Sequence, residues 1–146
     1  MSSNMKVSDD MFRHYDETKF LASMYILTIS LFNFMTGIFF ITADPRISSP
    51  TYTKMQELMP LSVYGLIMLT SAILLFSCIF QHGKIRNIFM LFGGILGAVS
   101  IGLYASASSI GAVNLMLPSR YSLISISCLL ISIAGGFSLW RMRTNM

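Results

Sequence analysis

Residues 61–107 read LSVYGLIMLTSAILLFSCIF, then QHGKIRN, then IFMLFGGILGAVSIGLYASA. Two uncharged apolar blocks, each 20 residues long, flank seven residues that include His82, Gly83, Lys84 and Arg86. A bilayer core is crossed by about 17–25 apolar residues in a helix. An ionised residue at the centre of such a helix costs about 2.5–3.5 kcal/mol. The stretch therefore reads as a transmembrane hairpin, with spans over 61–80 and 88–107 and a tight turn over 81–87.

Working outward, the same pattern recurs on both sides. Residues 20–43, FLASMYILTISLFNFMTGIFFITA, are free of charge, as are residues 121–140, YSLISISCLLISIAGGFSLW. The fold class predicted is all-α: a polytopic membrane protein with four transmembrane helices arranged as two hairpins, spans about 20–43, 61–80, 88–107 and 121–140. A cleaved signal peptide is the rival for the first block, but it needs a basic leader and an apolar core of about 7–15 residues. Here the leader is mixed in charge and the core is longer.

The composition agrees. Of 146 residues, 54% are apolar and 11% charged, where soluble domains carry about 25% charged residues. The net charge of +4 is not read as a nucleic-acid signal, because the basic residues stand at the ends of apolar blocks rather than in a basic stripe. No nucleic-acid partner is expected; the lipid bilayer is.

Residues 1–19 form a separate polar segment. Ser8 is a candidate N-cap with Asp9 and Asp10 in the following turn, and Met11, Phe12 and Tyr15 give one apolar side. A short interfacial helix running into the first span is predicted. The four-helix domain then occupies 20–146. In the first outer loop, Asp44-Pro45 ends the first span, and Ser49-Pro50 opens a second short interfacial helix whose Met55, Leu58 and Met59 would face the membrane surface. Both span-opening prolines, Pro60 and Pro118, are soon followed by a tyrosine, Tyr64 and Tyr121. This hints at a repeated hairpin, although such junctions favour proline for local reasons alone.

Orientation follows from the basic residues. Lys6, Arg13, Lys19, Lys84, Arg86, Arg141 and Arg143 lie on the side of the termini and the middle turn; Arg46, Lys54 and Arg120 lie on the other. The positive-inside rule then places both termini in the cytoplasm. Tyr121 and Trp140 sit at opposite ends of the fourth span, as interfacial aromatics do. Size and composition are those of a small bacterial or bacteriophage membrane protein, and the bacterial cytoplasmic membrane is the expected location.

Three sets of residues stand out within the spans. In the third, Gly94, Ala98, Gly102 and Ser106 recur every four residues, with Gly93 and Gly97 as a GxxxG on the adjacent strip. In lipid, such small residues let backbones approach closely and are a main source of helix association. Whether this seam packs within the chain or between chains is open at this point. In the fourth, Ser125, Cys128, Ser132 and Gly135 follow a 3-4-3 spacing and share a secondary packing face. In the first, Ser30, Asn33 and Gly37 share a face, and Asn33 is the amide deep in the bilayer. An interhelical hydrogen bond is favoured for it over a pore-lining role.

Chemistry is sparse. The spans contain no Asp, Glu, Lys, Arg or His, which argues against ion-coupled pumping. Asp10, His14 and Glu17 share a helical face, but a solvated polar face explains them better than a metal. The histidines lie away from any serine nucleophile arrangement on the outer face, and no GxxxxGK[ST] occurs. Cys78 and Cys128 stand at depths about 15 Å apart, too far for a disulfide. No cofactor, no metal site and no enzymatic activity are expected. The leading expectation is a non-catalytic membrane subunit acting through helix packing with a membrane-protein partner or its own copies. A holin-like or other oligomeric pore and a passive small-solute carrier are the alternatives.

Overall fold

The computed structural model describes residues 3–43, 50–110 and 116–144, with side chains from residue 17 onward. Five helices follow in order: α1 (Ser3–Thr42), α2 (Pro50–Leu58), α3 (Leu61–Phe80), α4 (Gly83–Ser109) and α5 (Met116–Thr144). Among the described residues there is no strand. Four of the helices, α1 from Glu17 onward, α3, α4 and α5, are long and apolar enough to cross a bilayer. The protein is an all-α, multi-pass integral membrane protein. A chain in hydrocarbon must pair its own backbone polar groups, and a helix does so within one segment.

Each helix boundary has a local cause. Pro50 opens α2, where a missing N–H costs nothing. Met59 N donates to Met55 O at 3.1 Å, and Pro60, in an extended conformation (φ −56°, ψ 141°), breaks the path. Its carbonyl then accepts from Val63 N at 3.0 Å to start α3. Gln81 and His82 are extended, and Gly83 adopts φ +64°, a left-handed conformation that glycine enters without strain. The turn is thus two residues long, shorter than the predicted 81–87. Lys84 and Arg86 belong to the first turn of α4, because helical pairing continues through the interfacial layer. Likewise α1 runs without a break from the polar segment into the first span, and α5 begins before Tyr121 with Pro118 in its first turn. The Asp44-Pro45 break, residue Asn114 and the side chains of Ser8 to Tyr15 lie outside the described residues.

Neighbouring spans are antiparallel. Ser30 and Asn33 of α1 meet Ala72 and Ser71 of α3; Ser71 meets Gly93 of α4; Ala98 of α4 meets Ser125 of α5. The side-by-side order is α1, α3, α4, α5. α1 and α5 approach each other mainly through side chains, as in the Phe32–Tyr121 ring pair with centroids 6.0 Å apart. α4 is the most enclosed span and α5 the least, with 44% and 22% of their most apolar windows buried.

α2 is seated in the bundle, chiefly against α4. Met55 is fully buried, whereas Leu58 stays 68% exposed. The face expected to rest on the membrane surface is therefore split: Met55 turns inward to the bundle core and Leu58 remains outside.

Candidate functional site

Near mid-bundle, polar atoms from all four spans converge. Asn33, wholly buried on α1, donates from Nδ2 to Ser71 Oγ of α3 at 3.0 Å and points the same group at Cys128 Sγ of α5 at 3.9 Å. Ser71 in turn donates to Gly93 O of α4 at 2.7 Å. That bond uses the only hydroxyl proton, so Ser71 Oγ can only accept from Asn33, which fixes the amide's orientation. Asn33 Oδ1 is left buried without a partner, as is the Tyr64 hydroxyl.

Gly97 makes room for this junction. A Cβ built there would stand 2.8 Å from Ser71 Oγ, 2.9 Å from Asn33 Nδ2 and 3.0 Å from Cys128 Sγ. Gly94 lies against the α5 backbone, where a Cβ would be 2.6 Å from Cys128 O and 2.8 Å from Ser132 Cβ. Gly93 faces Leu74 and Leu75 of α3; Gly102 faces Ser125; Ala98 is buried and its carbonyl accepts from Ser125 Oγ at 2.8 Å. On α5, Gly135 lies against Asn87 O and Leu91 N of α4. Gly94, Ala98 and Gly102 of α4 thus face the small residues of α5, while Gly93 turns to α3, Gly97 to the polar junction, and Ser106 out of the contact. Ser106 is exposed and its hydroxyl turns back to Leu103 O. A step of four residues overshoots a helical turn by about 40°, and three steps from Gly94 carry Ser106 out of the contact.

The same kind of crossing joins α1 to α3. A Cβ on Gly65 would be 2.7 Å from Gly37 O. Ser30, on the same face as Asn33 and Gly37, donates to Ala72 O at 2.8 Å. By contrast, Thr28, Thr36, Thr70 and Ser127 bond to carbonyls four residues back on their own helices. A hydroxyl satisfied in this way can sit at a helix surface in lipid.

Toward the α2 end, a string of rings crosses the bundle. Tyr52 contacts Phe40 (6.3 Å between centroids), Phe40 contacts Tyr104 (5.4 Å), and Tyr104 contacts Tyr121 (4.5 Å), all edge to face. Such pairs add about 0.5–1.5 kcal/mol beyond their burial. The string ties α2, α1, α4 and α5 together. Burial raises the pKa of Tyr52, with a smaller contribution from Tyr121.

No protein-family model, no curated protein and no solved structure matches the chain. Its function has to be argued from its own geometry.

That geometry is one of close helix packing around a buried polar junction. Among the described residues, no three of His, Cys, Asp and Glu come together; Asp10 and His14 lie outside the described side chains. Cys78 and Cys128 are both buried and free. Asn33, the glycines of α4 and the small face of α5 are legible in the sequence; Ser71, Gly65 and the ring string are not. Ser71 and Gly65 carry no signal beyond being small residues in an apolar span, and rings are common in such spans.

Proposed function

We propose that this membrane protein is a non-catalytic interaction or assembly subunit that binds its partner through outward helix faces. The observation that carries the reading is that the small faces of α4 and α5 are turned on each other within one chain. An assembly that depended on the α4 seam for contact between copies would need that face outside. The centre of the bundle is also filled: Asn33, Met68, Ser71, Leu75, Ile101 and Cys128 are each fully or almost fully buried. A filled centre supports neither a pore nor a solute path within the chain.

The surface remaining for a partner is apolar. On α5, the least enclosed span, Ile126, Leu130, Ile133 and Phe137 are 55–61% exposed and follow a 4-3-4 spacing, the spacing of one helix stripe. The basic residues Lys19, Lys84, Arg86, Arg141 and Arg143 at the end of the bundle that holds the termini support a cytoplasmic position for both ends, and a bacterial cytoplasmic membrane is part of the same proposal.

The test is to induce wild type and Ala98→Leu in a bacterial host and follow dye entry together with crosslinked species. Wild type is expected to admit no dye and to give no ladder of homo-oligomers. In native mass spectrometry it should hold a partner at fixed stoichiometry, released by Leu130→Trp while the monomer stays folded. Dye entry with wild type, abolished by Ala98→Leu at equal expression, overturns the proposal in favour of an oligomeric pore.

A further inference from the structure

The largest cavity described lies away from the junction, between the start of α4 and the end of α5. It is a groove of about 840 Å³ lined by Lys84, Ile88, Leu139, Trp140, Met142 and Arg143. Its size falls within the range of about 300–1,000 Å³ typical of ligand sites. Its walls are almost wholly apolar, and two cations stand on its rim.

Three observations say what would fill it. First, the groove lies between the ends of two helices long and apolar enough to cross a bilayer, a position at which apolar walls would adjoin acyl chains and a basic rim headgroups. Second, among the described residues the charge lining the groove is of one sign. Residues 58–146 contain no Asp or Glu, and among the described residues no carboxylate pairs with Lys84 or Arg143. The acidic residues of the same end, Asp9, Asp10, Asp16 and Glu17, belong to α1, whose extended contact is with α3. Third, the first turn of α4 holds no acidic residue and its N-cap makes no side-chain hydrogen bond. Lys84 thus adds its charge to the positive end of a helix dipole, an arrangement that an external anion relieves.

We propose that this groove binds an anionic phospholipid, its phosphate between Lys84 and Arg143 and its acyl chain along Ile88, Leu139 and Met142. Basic pockets between transmembrane helices recognise acidic headgroups in this way. The site is more selective than a general basic edge. Two residues along a helix turn through about 200°, so Arg86 and Arg141 point away from the groove that Lys84 and Arg143 line.

The chain supplies its own reporter, because Trp140 is its single tryptophan and forms part of the groove. The full-length protein is reconstituted in phosphatidylcholine nanodiscs containing a minor fraction of brominated phosphatidylglycerol or, at the same fraction, brominated phosphatidylcholine. Quenching of Trp140 reports which lipid occupies the groove. The anionic lipid is expected to be preferred by about fivefold for each cation it contacts, equivalent to about 1 kcal/mol apiece. Lys84→Gln/Arg143→Gln should abolish the preference, whereas Arg86→Gln/Arg141→Gln, which removes the same charge from the same end, should keep it. Quenching by brominated phosphatidylcholine verifies that each variant is inserted. Equal quenching by the two lipids in wild type overturns the proposal. So does equal loss in both double variants, which would mean a diffuse surface potential. Displacement of the lipid by inorganic phosphate alone would mean an anion site with no role for the acyl groove, and would overturn it as well.

Discussion

Replacing Gly94 by alanine adds one methyl group where α4 presses on the backbone of α5. The new carbon would stand 2.6 Å from Cys128 O and 2.8 Å from Ser132 N, and ordinary contact begins near 3.4 Å, so α5 must retreat by about 0.8 Å. A side-chain tip could swing aside; a carbonyl and an amide held in helical hydrogen bonds cannot. Overpacking costs about 1–3 kcal/mol, and backbone contact places this case in the upper half, about 2 kcal/mol or more. In water, better helix propensity would return about 1 kcal/mol. In lipid it returns little, because separated spans remain helical. Gly136→Ala is the control: its Cβ would meet only Leu91 Cδ1, at 3.4 Å, and the change should stay within about 0.5 kcal/mol. Both variants can be titrated with a denaturing detergent in mixed micelles and followed by Trp140 emission. Equal midpoints for Gly94→Ala and Gly136→Ala would refute the close approach of α4 and α5.

A double-mutant cycle on Asn33→Ala and Ser71→Ala should give a coupling of about 0.6 kcal/mol, with about 1.7 as the upper end for such pairs; additive effects would mean that the Asn33–Ser71 hydrogen bond contributes nothing. Cys78 and Cys128 should resist maleimide in the folded protein and both react after denaturation without reductant, so a mass consistent with a disulfide would contradict their separate placement. With both native cysteines replaced, cysteine at Ser49 or Ser119 should react with an impermeant reagent outside intact cells and cysteine at Thr144 should not; the reverse pattern would invert the proposed orientation.

The parts of this fold that were legible in the sequence are those fixed by local rules. Leu61–Phe80 has the ends its sequence predicts because Pro60 and the extended pair Gln81 and His82 bound it. Pro50 marks the start of α2 for the same reason. Contacts between spans were less legible, since lipid gives no inside-outside contrast of polarity. Ser71 and Ser127 look alike in sequence, yet one joins the junction and the other bonds to its own helix. The small residues of α4 could be placed on a face, but their opposing partners depended on which helix lay beside them. The ring string escaped notice because Phe40, Tyr52, Tyr104 and Tyr121 come from four separate helices and share no spacing.

Asn33 has a consequence for how the spans settle against one another. Apolar helices in lipid can slide lengthwise and exchange one leucine contact for another at small cost, because the tails are as apolar as the side chains. The amide removes that freedom. Moving α1 by one turn, about 5.4 Å, carries Nδ2 beyond Ser71 and Cys128 and leaves it unmet, at several kcal/mol in hydrocarbon. A lone asparagine fixes the alignment of some coiled coils in the same manner. Asn33 thus acts as an indexing pin: hydropathy decides that four helices cross the membrane, and this amide, with the Ser30 hydroxyl beside it, sets the height at which α1 stops against its neighbours.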